Sequence, residues 1–307
     1  MRSTITGHTL ATVIPPRPYD IFTWVSAAAD DRTFVLAAQR WQNIASGTAG
    51  LPAENRNGTT PTAFFQLTYN PATRTAQLSK LNISGTIQSA QLAGMALSPD
   101  GTRLALDLRQ SIQVITLATG ATRSWTWPGG GWIGNWKPNG QVLSWTADGR
   151  TLEFQQWGGK LDDTAHVRLL DTTAPGSSLA SAKVILTFPA KPRALTFSAG
   201  NTLLTPDGTR IITATTAQPG QRPGPGRQEI TEYSARTGAV VASEDQFAPP
   251  AGWQDVLWAG PGGQALVVSD PRGKATPYGP ANILGVLSGN RFTPIPGGSY
   301  QGTQLAW

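Results

Sequence analysis

Met95-Ala96-Leu97-Ser98-Pro99-Asp100-Gly101-Thr102-Arg103-Leu104-Ala105-Leu106 joins two short apolar runs through a strong tight-turn signal. Proline presets φ at its turn position, aspartate hydrogen-bonds the backbone that follows it, and glycine takes the positive φ that other residues resist. Apolar residues on both sides of such a turn read as an antiparallel strand pair.

Working outward, the same unit recurs four more times. It is found at Phe22 to Ala37 around Asp30-Asp31-Arg32-Thr33, and at Val142 to Phe154 around Thr146-Ala147-Asp148-Gly149. It is found again at Thr202 to Ile212 around Thr205-Pro206-Asp207-Gly208, and at Val256 to Val268 around Gly260-Pro261-Gly262-Gly263. The turn centres at 31, 100, 148, 207 and 262 are 48 to 69 residues apart, the length of a four-stranded repeat with variable loops. A second, weaker strand pair follows the turn unit: Ile112–Ile115 with Thr122–Trp125, Val167–Leu170 with Val184–Leu186, Ile230–Tyr233 with Val240–Ala242, and Ile283–Val286 with Phe292. Four strands per unit, labelled A to D outward from a common axis, make a propeller blade.

The turn Ser98-Pro99-Asp100-Gly101-Thr102, with its variants at 205–209 and 146–150, resembles the A-to-B turn of bacterial WD-like and TolB-like β-propeller repeats. The resemblance covers essentially the whole chain as architecture. It implies a fold and no activity, because unrelated functions share the propeller.

The expected fold class is all-β, a six-bladed propeller in one domain spanning 1–307. Five blades take residues 22–84, 90–128, 132–189, 194–247 and 253–297. The ends fit each other: Arg2 to Val13 reads as an outer hairpin turning at Thr6-Gly7, and Gln304-Leu305-Ala306-Trp307 reads as an inner strand. A sixth blade of 301–307 with 1–16 would hide the open sheet edges. That blade lacks a B strand, so residues upstream of Met1 are expected in the native protein. A membrane anchor there would make the chain an extracytoplasmic domain.

Composition agrees with a turn-rich β chain: 34 Gly and 24 Pro accompany 14% charged residues. The net charge of +6 comes from basic residues spread without a cluster, which reads as a mildly basic surface and not a nucleic-acid partner. With no cysteine there is no disulfide, thiol nucleophile or cysteine-based metal site. No run of about 18 apolar residues is present to span a membrane. Met1 to Leu10 lacks the apolar core of a targeting signal. The compartment stays open, and no cofactor is expected.

In a propeller the A-to-B and C-to-D turns share one face, and the B-to-C and D-to-A connections share the other. The B-to-C connections are read as long, at 39–61, 156–166, 216–228 and 269–281, which makes their face the expected recognition side. Six tryptophans fall within 33 residues, from Trp125 to Trp157. Trp125, Trp136 and Trp145 read as packing between blades. Trp41, Trp132, Trp157 and Trp253 read as top-face candidates able to stack on a ligand.

Beside them stand His166 with Asp162 and Asp163, Arg222 and Arg227 of a Pro/Gly-rich arm, and Asp270 with Arg272. Two histidines supply no multi-histidine metal site, and no Asp-x-Asp-x-Asp-Gly calcium spacing occurs. No catalytic residue is assigned. The sequence therefore reads first as a non-enzymatic scaffold or sensor binding a protein, peptide or glycan. The alternative is a carbohydrate-active hydrolase or lyase using loop carboxylates with tryptophan platforms.

Overall fold

The computed structural model describes residues 1, 6–40, 60–83, 85–88, 91–128, 132–133, 143–157, 164–174, 178–189, 195–219, 227–244, 256–259, 266–270, 275–276, 279–280, 282–288 and 291–300. Among these the chain is all-β, with a single 3-10 turn at Leu179–Ser181 and no α-helix.

The first sheet comprises β1 (Ile21–Ala27), β2 (Thr33–Gln39), β3 (Ala63–Asn70) and β4 (Thr75–Lys80). The second comprises β5 (Gly94–Leu97), β6 (Arg103–Asp107), β7 (Ser111–Thr116) and β8 (Thr122–Thr126). The third comprises β9 (Trp132–Ile133), β10 (Leu143–Trp145), β11 (Thr151–Trp157), β12 (Thr164–Asp171) and β13 (Lys183–Pro189). The fourth comprises β14 (Leu195–Leu204), β15 (Arg210–Pro219), β16 (Arg227–Ser234) and β17 (Val240–Glu244). The fifth holds β18 (Val256–Ala259), β19 (Leu266–Asp270), β22 (Asn282–Ser288) and β23 (Arg291–Tyr300), with a small hairpin of β20 (Ala275–Thr276) and β21 (Gly279–Pro280) inserted. Each sheet is an antiparallel meander in chain order, and in the third β9 adds beside β10 on the same strand, β11. The first strands of consecutive sheets touch one another, from β1 through β5, β10 and β14 to β18.

The turn chemistry works as the letters require. Asp100 accepts from the Thr102 amide at 3.0 Å and from the Ser98 hydroxyl at 2.5 Å, and Gly101 sits at φ +72. Asp148 and Asp207 accept from Arg150 and Thr209 amides, with Gly149 and Gly208 at φ +63 and +70. In the first turn Asp31 itself takes φ +55, and Asp30 accepts from the Arg32 and Thr33 amides.

Strand pleating sends alternate residues to opposite faces, and the first four sheets are apolar on both sides, so each needs a neighbour on each side. Val35, Ala37 and Phe64 of the first sheet meet Leu97, Leu104 and Leu106 of the second. The other face of the second sheet carries Ala105, Ile112 and Trp125 onto Trp145, Leu152 and Phe154 of the third. Val167 and Leu186 of the third then meet Leu204 and Ile211 of the fourth. Fully burying one such aromatic or branched side chain stabilises the fold by roughly 1.5–3 kcal/mol.

The first sheet also has a covered outer face. Phe34, Leu36 and Leu67 pack there against Met1 and Val13. The Met1 ammonium donates to the Ala11 carbonyl at 2.7 Å and the Leu10 amide to the Met1 carbonyl at 3.0 Å, with Gly7 at φ +71. The N-terminal segment therefore folds back on itself over the side of the first sheet remote from the second. Residues 301–307, its expected partner, lie outside the described residues.

Polar staples cross between sheets. The Ala29 amide donates to the Pro99 carbonyl and the Ala147 amide to the Pro206 carbonyl, at 2.9 and 2.6 Å. Pro99 has no N–H to pass the pattern on to the third sheet. There Arg103 donates to the Gly149 carbonyl and lies 5.3 Å from the Trp145 ring centroid, while Trp145 Nε1 donates to the Ala96 carbonyl.

The connection from Thr172 to Ala182 is longer than the other C-to-D turns, and it clamps the same joint. Arg123 donates to the Thr172 carbonyl at 3.0 Å, Ser178 bridges Thr126, and Leu179 is fully buried. The two expected structural tryptophans that are described, Trp125 and Trp145, are both buried here. Trp136 lies outside the described residues.

Gly238 offers a stability test. Its φ is +72, and a Cβ there would stand 2.5 Å from the Ile185 carbonyl oxygen, whereas Gly85 at φ +86 has nothing within 4 Å. Gly238→Ala is expected to cost more than the roughly 1–2 kcal/mol of a left-handed L residue, and Gly85→Ala about that amount. Urea unfolding midpoints of the two variants measure the difference.

Candidate recognition face

The end of the third sheet opposite its tight turn gathers several of the residues singled out above. β11 leaves the Asp148-Gly149 turn and runs to Trp157, where the chain crosses to β12 at Thr164. The connection is thus 158–163, shorter than the 156–166 read from sequence. His166 is a strand residue and not a loop residue, because the alternation of Ala165, Val167 and Leu169 toward the fourth sheet carries the ladder that far. Asp162 and Asp163 lie outside the described residues, within that connection.

Register places the aromatic candidates on one row. Trp132 pairs with Trp157, Trp157 with Ala165, and Ala165 with Phe188, so one rung crosses β9, β11, β12 and β13. The rung beside it runs Ile133, Gln156, His166, Thr187. His166 Nδ1 and Thr187 Oγ1 are 3.0 Å apart, with His166 half-buried and Thr187 exposed.

Under this end sits a rigid support. Arg168 donates through Nε to the Gln156 side-chain oxygen at 2.5 Å and through Nη1 to the Ala182 carbonyl at 2.9 Å. Its guanidinium stacks on Trp127 of the second sheet, 4.8 Å from the ring centroid. Burial lowers the Arg168 pKa from its ordinary value, a cost the ring face and the two acceptors offset. Trp127 and Arg168 were not among the residues singled out from sequence. Trp127 falls within the tryptophan run, but nothing in the letters sets it against an arginine 41 positions further on.

The other candidates are more scattered. Arg227 begins β16 and Asp270 ends β19, so both are strand residues, and the connections read as 216–228 and 269–281 contract to 220–226 and 271–281. The latter contains the hairpin of β20 and β21. The remaining connection, read as 39–61, leaves the first sheet after Gln39 and re-enters it at Ala63. Trp41, Arg222, Trp253 and Arg272 lie outside the described residues.

Two buried carboxyls mark where acid chemistry is sealed off. Asp107, fully buried, accepts the Arg109 amide at 2.7 Å on Oδ1 and leaves Oδ2 without a partner; burial pushes it up to about 7. It closes the tight B-to-C turn of the second sheet, where Arg109 takes φ +69. Glu153, equally buried, accepts from Ser144 and Thr202 and is pushed up to about 8 by burial. Neither is open to a ligand. Among the described residues no group of three or more His, Cys, Asp or Glu could hold a metal ion.

The Asp107 carboxyl titrates higher folded than unfolded, so its contribution to stability is full below about pH 3.8 and is lost as pH rises through about 7. Asp107→Asn keeps an acceptor for the Arg109 amide and removes that loss. Its stability relative to wild type is expected to rise between pH 5 and pH 8, measured as the change in urea midpoint.

No protein-family model matches this chain, and no curated protein matches it. Among solved structures it is similar to a putative TolB from Agrobacterium tumefaciens, at 13% identity over 94% of this chain and 85% of that one, with a TM-score of 0.53. It is also similar to hydrazine synthase of Kuenenia stuttgartiensis, at 13% identity, 93% and 68% coverage and a TM-score of 0.48. A third similarity is to the β-propeller domain of the trilobed protease of Pyrococcus furiosus, at 14%, 90% and 72%, with a TM-score of 0.46. At such identity the TolB likeness speaks for architecture alone: this chain has a β-propeller fold.

Proposed function

We propose that this protein is a non-enzymatic binding propeller, a scaffold or sensor that recognises a protein, peptide or glycan at the end of its sheets remote from the tight turns. The reading rests above all on the register that pairs Trp132 with Trp157 at this end of the third sheet, next to His166 and the 158–163 connection. Aromatic residues gathered on a rigid sheet end offer large contact area at little entropic cost. Arg168, held by Gln156, Ala182 and Trp127, stiffens the sheet beneath them.

Six blades are part of the same proposal. The N-terminal fold-back over the outer face of the first sheet supports it, since a closing blade would stand there. Blade limits of 22–84, 90–128, 132–189, 194–247, 253–297, and 301–307 with 1–16 then follow.

The test is a thermal-shift screen of peptides and glycans against wild type, with Trp157→Ala and Trp132→Ala as probes. A ligand that raises Tm in wild type should lose at least about tenfold in affinity in either variant, roughly 1.4 kcal/mol. Undiminished binding by both variants would move the site elsewhere. Carbohydrate cleavage products in the same mixtures would replace the binding reading with the hydrolase or lyase.

A further inference from the structure

The joint between the first and second sheets and the joint between the third and fourth are built to one plan, with one set of residues exchanged. In both, a serine on the first strand takes an amide from the next sheet: Ser26 Oγ accepts from Leu97, and Ser144 Oγ from Leu204, each at 2.8 Å. Both serines stand four residues before the turn aspartate, opposite Val35 and Glu153 respectively. Across the joint, Met95 pairs with Leu106 in the second sheet, and Thr202 with Thr213 at the same distances from their turn in the fourth. Val35, Met95 and Leu106 are thus replaced by Glu153, Thr202 and Thr213, and all six are buried.

The exchange has no packing rationale, because the first joint closes with apolar side chains at the same three positions. In the second, Ser144 donates to Glu153 Oε2 at 2.8 Å and Thr202 to Oε1 at 2.5 Å, while Thr213 Oγ1 has no partner. Among the described residues no cation is paired with the carboxyl. An ionised acid here would be fully buried with two hydroxyl donors among the described residues, at a cost that two hydrogen bonds do not cover.

We propose that the joint between the third and fourth sheets is a proton-controlled latch, closed while Glu153 is neutral and loosened when its proton leaves to solvent. Burial places that titration at about 8. The stability it lends is therefore full below about pH 4.5 and is lost as pH rises through about 8.

Among the described residues the other titratable groups on this joint are few. Lys183 shares the rung of Leu169 and Glu153, but its ammonium donates to the Arg236 carbonyl at the rim. Tyr233 lies opposite Ile211 and meets Phe188 edge to face, and Glu229 holds the register position across from Thr215. Arg168 and His166 share rungs with Phe154 and Gln156, the opposite face of the third sheet. Glu232, paired with Arg210, shares a rung with Ile212 on the far face of the fourth.

The two serine-bound amides make the test internal to one molecule. Amide hydrogen exchange of Leu204 and Leu97 is followed by NMR from pH 6 to pH 9, each rate divided by its intrinsic rate. Leu204 protection is expected to fall about tenfold one unit above the midpoint, with Leu97 changing less than about threefold. Glu153→Gln should hold Leu204 protection level.

Parallel loss at both amides, or a loss that persists in Glu153→Gln, overturns the latch. Should that variant fail to fold, Glu153→Val, which installs the residue of the first joint, carries the same comparison. A carbon-13 titration of the wild-type Glu153 carboxyl with its midpoint near 4.5 would also overturn it.

Discussion

Among the described residues, the first four sheets carry apolar side chains on both faces, and that constraint organises the rest. A four-stranded meander with one apolar face could float one side in water; one with two must be sandwiched. Stacking sheet on sheet satisfies the second and third completely: the second buries Leu104 and Leu106 one way and Ala105 and Ile112 the other. The first sheet meets the same demand with its own N-terminal segment, through Met1 and Val13. The succession of first strands from β1 to β18 is the geometric result.

Hydrophobic stacking alone would let neighbouring sheets slide, so each of the first three joints carries polar contacts that fix its register. These differ from joint to joint. Serine hydroxyls and turn amides serve the first and third joints. Arg103, Arg123 and Trp145 serve the second, where Pro99 removes the donor that the turn would otherwise supply. The second joint is also filled by Leu179 from the connection at 172–182, so a stretch that reads as a loop is in part core. The most heavily cross-linked of the described joints therefore lies beside the sheet end that carries Trp132 and Trp157.

Much of this was legible because turns are local. Pro-Asp-Gly and its variants announce a strand pair from four letters, and all five pairs are present with the second pairs that follow them. The buried states of Trp125 and Trp145 were legible for a related reason, since a tryptophan within a strand has a sheet neighbour to pack on. Strand ends were less so: β11, β12, β15 and β16 all run further than the letters suggested, because ladder bonds extend strands past the point where apolar residues stop. His166 moved from loop to strand for that reason. β3 and β4 complete the first sheet across a connection that local pattern does not bridge.

By itself the sequence determined the element type, the repeat and the tight-turn ends of the sheets, since each rests on φ preferences and apolar alternation within a dozen residues. Only the tertiary structure decided which side chains from different sheets meet. Arg168 against Trp127 and Glu153 against Thr202 join residues dozens of positions apart, and burial sets the charge of that carboxyl. Such pairings depend on how one sheet is rotated and shifted over the next, a quantity that no local pattern of letters carries.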